Sequence, residues 1–545
     1  MKEWFKKGEH WIWMSSAMVA LSVVLVFGLF GMIAYKGMVH FWPHTVYEYQ
    51  VNNGTEIERV VGEHRDSKIK EVFDVKGQPP REVEQLLIKV GNRDVYGIDF
   101  RWISADDLVA AEPAIADNAV VIERYEYGNV YGWYKTLTVN GQTFTGDKLV
   151  LELEKQVDEG KRLHDEIKSI EKSDIGSINY KLEQLRLEEK KLKAEDEWNA
   201  EEEQRLASKR TELNKQFKEL QAQTQVLYKE QATLGEVSMT ISGGQALNVP
   251  IKNIVDYWQP NEMSMADKIG FFFHGMGRFL TEDPREANTE GGIFPAMIGT
   301  ITMVLIMTIL VTPMGVIAAV YMREYAKDGP VLRAVRISIN NLAGVPSIVF
   351  GIFGLGFFVY ILGGSIDELF YGYALPSPTF GTPGLLWASL TMALLTLPVV
   401  IVSTEEGLSR IPRSLREGGL ALGATKIEVI QKIVLPMALP AIMTGLILAV
   451  ARAAGEVAPL MLVGVVKLAP ELPVDAIAPF VHLDRKFMHL GFHIYDVGFQ
   501  SPNVEASQPL VYATSLLLVL IIVGLNLGAI SIRNRLREKY KALEH

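Results

Sequence analysis

The sequence predicts an α-helical multi-pass membrane protein, with six transmembrane helices and a large external insert made of a small β-rich or α+β domain and a coiled-coil hairpin. Three observations carry that prediction. Apolar runs long enough to cross a bilayer occur once near the N-terminus and five times in the second half. Lys and Arg gather in alternate connecting loops. Between the first two runs lies a long stretch of water-compatible composition, turn-rich at first and then heptad-repeating.

The first run spans about Ile12 to Tyr35. No small-residue cleavage site of the Ala-x-Ala kind follows it, so it reads as a retained anchor rather than a signal peptide. The other five are roughly Ile293–Tyr321, Val345–Leu362, Leu385–Val402, Ala441–Val463 and Leu510–Ile530. Lys2, Lys6 and Lys7 precede the first span, and Arg323, Lys327, Arg333 and Arg336 follow the second. Arg410, Arg413, Arg416, Lys426 and Lys432 follow the fourth, and Arg533, Arg535, Arg537, Lys539 and Lys541 follow the last. The loop between spans three and four has neither Lys nor Arg. The positive-inside rule then makes both termini cytoplasmic and residues 36–290 periplasmic.

Within the insert, Val, Ile, Tyr and Thr dominate from about Tyr47 to Phe144, punctuated by turn signals such as NNG, GQPP and VNGQ. From Lys148 to Leu234 the chain becomes charged and helical. Ile178, Leu185, Leu192, Leu206, Leu213, Leu220, Leu227 and Leu234 recur every seven residues, with Asn199 in the remaining slot. Ser173–Gly176 is the expected reversal of an antiparallel hairpin, and a break is expected near Asp196–Glu203 because the second arm would otherwise reach ~85 Å. The polar second core position (Glu189, Asp196, Glu203, Arg210) predicts thin packing. The insert reads either as a solvated spacer or as a docking arm. The resulting segments are 1–35, with the first helix; 36–147, β-rich; 148–235, coiled coil; 236–290, a return segment; 291–531, the membrane core with a cytoplasmic loop at 403–440; and 532–545, a basic tail.

Composition narrows the chemistry. The 545 residues are 48% hydrophobic and 22% charged, with formal net charge -10. Cysteine is absent, which excludes disulfides, thiolate metal sites and a thiol nucleophile. No metal-ligand spacing or nucleophile–base pairing stands out, so neither a catalytic residue nor a bound metal is expected. Basic residues sit beside apolar runs rather than in a nucleic-acid patch.

Two stretches do carry specific chemistry. In STEEGLSRIPRSLREGGLALGATKIEVIQKIVLP, Leu408, Leu415 and Leu422 suggest one helical face and Gly423 a turn. Thr425 and Glu428 form an expected capping box, and Ile427, Ile430, Ile433 and Val434 a second apolar face that Pro436 and Pro440 end. In span five, Arg452 and Glu456 stand four residues apart, on one helical face. Ionisable groups at membrane depth are costly, so the pair is either a brace or a pathway element, with the Arg452 guanidinium suited to an oxyanion.

The spacing of Glu417, Gly418, Gly419, Gly423, Ile433, Leu435 and Pro436 resembles the signature loop of type I ABC importer permeases, which normally begins Glu-Ala-Ala. GGIFPAMIGTITMVLIMTILVTPMGVIAAVYMREYA, VPSIVFGIFGLGFF and ARAAGEVAPL look like the PstA-like permease subunits of phosphate-specific ABC transporters, a resemblance that covers the first span and about Gly291 to the C-terminus. The resemblance implies a coupling helix in that loop, seated in a groove of a cytoplasmic ATPase. It also implies a PstC-like second permease, two ATPase copies and a periplasmic phosphate-binding protein. The chain has no G-x-x-x-x-G-K-[ST] phosphate loop. The expectation is therefore a transport subunit with no cofactor of its own, ATP and magnesium belonging to the partner. A permease for sulfate or molybdate and a membrane-anchored periplasmic scaffold remain the alternatives.

Overall fold

The computed structural model describes residues 9–54, 56–72, 81–110, 112–501 and 504–540. Lys2, Lys6, Lys7 and Lys541, used above for orientation, lie outside the described residues. The chain divides into two compact units: one holds the described residues of 1–40, 293–501 and 507–545, the other those of 41–292 and 502–506.

Among the described residues of the first unit, six helices are long and apolar enough to cross a membrane. The N-terminal one, α1 (Glu9–Val39), leaves its side chains almost wholly exposed, as a lipid-facing helix must.

The second unit is built on antiparallel sheets. Strands β1 (Val46–Asn52), β2 (Ile57–Val72), β3 (Arg81–Lys89), β4 (Phe100–Ser104) and β5 (Ala114–Ile115) form one, ordered β4-β3-β2-β1-β5. In a second, β6 (Val120–Arg124), β7 (Val130–Val139) and β8 (Gln142–Phe144) are joined by β9 (Glu236–Thr240), β10 (Ala246–Pro250) and β11 (Ile254–Trp258). The stretch at 236–290, set apart above as a return segment, therefore begins as three strands of this sheet. Long-range ladders decide that: Leu137 pairs with Val237, and Ile122 with Tyr257.

Between β8 and β9 run α2 (Asp147–Ser169), α3 (Gly176–Ala194) and α4 (Ala200–Ala232). Leu149, Leu153, Val157 and Leu163 of α2 pack onto the sheet core with Val120, Leu137 and Met239. The reversal differs from the one expected. Ser173–Gly176 stays helical, with Ile170–Ile175 as a π turn joining α2 to α3. The chain turns back at residues 195–199, where Asp196 takes φ 56° and the Asn199 side chain accepts the Glu202 N–H at 2.9 Å. A capping side chain that satisfies the first turn of α4 outweighs the weak helix preference of Ser and Gly in a packed arm. The arms are antiparallel: Arg205 reaches Glu188 at 2.6 Å, Arg210 reaches Glu189 at 2.8 Å, and the Tyr228 hydroxyl reaches Glu171 at 2.8 Å. Of the polar core positions, Glu189 and Arg210 thus pair across the seam.

After β11, α5 (Met265–Thr281) opens with a Ser264–Asp267 capping box. Arg278 of this helix grips Glu123 of β6 at 2.9 and 3.0 Å.

Back in the first unit, α6 (Phe294–Tyr325) is followed by α7 (Pro330–Leu342), α8 (Ser347–Phe370) and α9 (Leu385–Ser409). Then come α10 (Arg413–Ala421), α11 (Lys426–Gly455), α12 (Leu490–Phe499) and α13 (Val504–Tyr540). The central α9 is the most buried span, at 67%. It touches α6 and α11 through Met303, Met307, Val311, Met392, Val400 and Ala449. Small residues permit the close approach. A Cβ on Gly445 would lie 2.6 Å from that of Ser403, and one on Gly407 2.5 Å from that of Ala441. Span five begins earlier and ends earlier than Ala441–Val463: Pro436 and Pro440 do not stop it. The π turn Ile430–Val434 precedes Pro436 and accommodates its missing N–H, and the helix instead ends at Gly455.

Candidate functional site

The elbow between α9 and α11 is a rigid, twice-capped turn. Pro412 starts α10, and its end is closed by Leu422 N–H donating to the Gly418 carbonyl at 3.1 Å and Ala424 N–H to that of Gly419 at 3.3 Å. Gly423 sits at φ 86°, left-handed backbone that favours glycine. Thr425 then caps α11, with Glu428 accepting its backbone N–H at 2.9 Å in a complete capping box.

The two glycines after Glu417 do different things. Nothing lies within 4 Å of a Cβ built on Gly418, whereas one on Gly419 would meet Val429 Cγ2 at 2.9 Å and Ile433 Cδ1 at 3.0 Å. Gly419 therefore lets α10 press directly onto the first turns of α11. Ile433, Leu435 and Pro436 are half-buried behind it, and Glu417 is exposed. The leucines do not share a face. Leu408 is buried within α9, Leu415 is half-buried, and Leu422 is 90% exposed. The break at Pro412 resets the helical phase between them. The buried side of α11 is Val429, Ile430 and Val434, leaving Ile427 exposed.

Basic side chains that in the sequence marked only orientation brace this elbow. Arg416 donates to Glu324 at 2.9 Å and to the Leu408 and Ile411 carbonyls at 2.8 and 2.6 Å. Lys426 donates to the Glu324 carbonyl and lies 4.6 Å over the Tyr325 ring. Arg336 of α7 reaches Glu405 of α9 at 2.5 Å. The visible signal was opposite charge at the ends of spans two and four, in YMREYA and SLREGG. The result is an elbow tied to the end of α6, presenting Leu420, Leu422 and Ile427 outward.

Arg452 and Glu456 lie at the opposite end of α11. Their Nε–Oε1 separation is 3.7 Å, an ion pair beyond direct hydrogen-bond distance, with side chains 33% and 26% exposed. Glu456 is not on the helix: it is the extended residue after Gly455, at ψ 134°. Gly455 and the nearby Pro459 end the helix where the i, i+4 spacing suggested continuation. The following segment folds back onto the start of α9, through Leu385 N–H to the Arg485 carbonyl at 2.9 Å and Leu386 N–H to that of Leu483 at 2.8 Å. In that segment Lys467 Nζ lies 3.0 Å from the buried Asp496 carboxylate. Among the described residues, no group of three or more His, Asp or Glu side chains is placed to hold a metal.

Residues 311–541 match the family described as "Binding-protein-dependent transport system inner membrane component". The "Probable ABC transporter permease protein YqgI" of Bacillus subtilis is 30% identical over 259 residues, 46% of this chain and 81% of that protein. The chain belongs to this family of ABC transporter permeases. The "Phosphate transport system permease protein PstA" of Mycobacterium leprae is 34% identical over 245 residues, 45% of this chain and 71% of that protein. A "Probable phosphate transport system permease protein PstA" of Methanocaldococcus jannaschii is 29% identical over 239 residues, 44% and 74%. Within the family the chain is PstA-like. Both the elbow and Arg452–Glu456 fall inside the family match, and residues 41–292 lie outside it.

Proposed function

We propose that this chain is the membrane permease subunit of an ATP-driven importer of inorganic phosphate in the bacterial inner membrane. The observation that carries the reading is the braced, capped elbow with three apolar side chains facing outward, inside a PstA-like permease core. A connector needs neither two caps nor an exposed Leu422. A lever that receives force from a partner needs rigidity behind and an apolar contact in front.

In this reading the termini and the elbow are cytoplasmic, residues 36–290 are periplasmic, and Leu420, Leu422 and Ile427 enter a groove of a separate ATPase. ATP and magnesium belong to that ATPase, present in two copies. A PstC-like permease completes the pathway, and a periplasmic phosphate-binding protein delivers the anion. Importing an anion against an inside-negative potential costs ~2.3 kcal/mol per charge per 100 mV, which is why a pump rather than a channel is required. Arg452 offers the phosphate a planar, bidentate donor near the outer end of span five, and Glu456 holds that side chain in place.

The test is reconstitution with the ATPase and the binding protein in proteoliposomes. Phosphate should stimulate ATP hydrolysis and enter the vesicles, while sulfate and molybdate do neither. Stimulation by sulfate or molybdate would reassign the substrate, and failure to co-purify with an ATPase would leave only a scaffold role.

A further inference from the structure

Helix α5 carries an apolar stripe that its own unit leaves uncovered. Met265, Ile269 and Phe273, at steps of four, are 66%, 46% and 59% exposed. Phe272, Met276 and Leu280 fall on the same side, partly exposed, so the stripe covers about 100° of the helix. The helix is held along the flank next to the stripe: Phe279, beside Phe272, is 5% exposed, Phe271 packs 4.8 Å from the Trp258 ring, and Arg278 is bonded to Glu123. Asp267, His274 and Arg278 all project away from the stripe, and Lys268 borders it, where its stem can lie along apolar surface while its ammonium stays wet.

Chain continuity says what covers the stripe. Phe41 follows Val39, the last residue of α1, with one residue between, and two residues reach at most ~7 Å. The Phe41 ring lies 5.2 Å from Phe279 and 6.1 Å from Phe272, and Trp42 lies 6.4 Å from Phe272. The aromatic residues that leave the first span are therefore the ones that seat α5. Phe and Trp packed where a span ends are the chemistry of the bilayer interface.

We infer that α5 is an interfacial helix, lying flat on the bilayer surface where α1 emerges, with Met265, Ile269 and Phe273 among the lipid chains. The helix anchors the inserted unit to the membrane independently of the spans. The inference rests on membership of a membrane permease family and not on the substrate or on the orientation of the chain.

Because the chain has no cysteine, single reporters can be placed without background labelling of this chain. The full complex carrying Met265→Cys, Ile269→Cys or Phe273→Cys, labelled with a fluorophore, is reconstituted in phosphatidylethanolamine–phosphatidylglycerol vesicles. Thr281→Cys, exposed on the opposite side, serves as the reference. Nitroxide on shallow acyl positions should quench the three stripe labels at least about threefold more than aqueous iodide does, with the order reversed at residue 281. Iodide quenching of the stripe equal to that at 281 would overturn the inference, because the helix would then face water. Shielding from both quenchers would also overturn it, since a protein partner or second copy would then cover the stripe. The fluorescence reads lipid contact whether or not phosphate is the substrate, so failure of the transport reading leaves this test intact.

Discussion

Gly418 and Gly419 offer a controlled pair of substitutions, identical in chemistry and adjacent in one helix. Alanine at either should gain about 1 kcal/mol of helix propensity over glycine. At Gly418 nothing opposes that gain, because a new Cβ has open space. At Gly419 it meets the Val429 methyl at 2.9 Å and the Ile433 terminal methyl at 3.0 Å. Ile433 can turn its δ-carbon aside, but Val429 is 3% exposed and stiff at χ1, so α10 itself must move. Overpacking of this kind costs about 1–3 kcal/mol. Gly419→Ala should therefore be less stable locally than Gly418→Ala by about 1–3 kcal/mol, a ratio of roughly 5 to 150 in opening of the elbow. Amide hydrogen exchange over residues 420–429 in the assembled complex reads this directly: slower for Gly418→Ala, faster for Gly419→Ala. ATP hydrolysed per phosphate transported should rise in the second variant alone. Equal or greater protection in Gly419→Ala would refute the packing argument and with it the lever.

Gly423→Val places a β-branched residue at φ 86°, a strain of about 1–3 kcal/mol, and should leave ATP hydrolysis running while phosphate uptake falls; tight coupling in this variant would exclude the turn as a hinge point. Arg452→Gln removes the charged hydrogen bond proposed between the guanidinium and phosphate, worth about 1.5–3 kcal/mol, so uptake should drop roughly 10- to 150-fold with the complex still assembled; failure to assemble would instead mark the Arg452–Glu456 ion pair as a brace. Burial raises the Glu290 carboxyl from 4.5 to about 7, helped by Asp99 and Glu123 and opposed by Lys89 and Arg285. The folded state thus holds a proton that the unfolded chain releases, so stability from this group is lost as pH rises between about 4.5 and 7, by up to ~3 kcal/mol. Glu290→Gln should raise the apparent melting temperature of the complex at pH 8 and not at pH 4, and a pH-independent difference would contradict the burial argument. Replacing residues 182–216 with a glycine–asparagine turn removes the outer hairpin while sparing the α2 leucines in the sheet core. Undiminished uptake would then leave the hairpin as a spacer, and loss of uptake with the complex intact would make it a docking arm.

What the sequence by itself determined are the features set by local rules. Span number follows from apolar length, and the capping box at Thr425 and Glu428 from residues three apart. The left-handed turn at Gly423 follows from the one residue type that adopts it freely. Only the tertiary structure decided the rest, because it depends on which residues meet once the chain is folded. Residues 195–199, not 173–176, reverse the hairpin because the seam pairs Glu188 with Arg205. The strands after the hairpin belong to the sheet before it because β7 and β6 offer them edges. Glu456 leaves the helix where spacing alone kept it on one face with Arg452. Gly418 and Gly419 are indistinguishable as letters; the packing of Val429 and Ile433 makes one of them free and the other a contact.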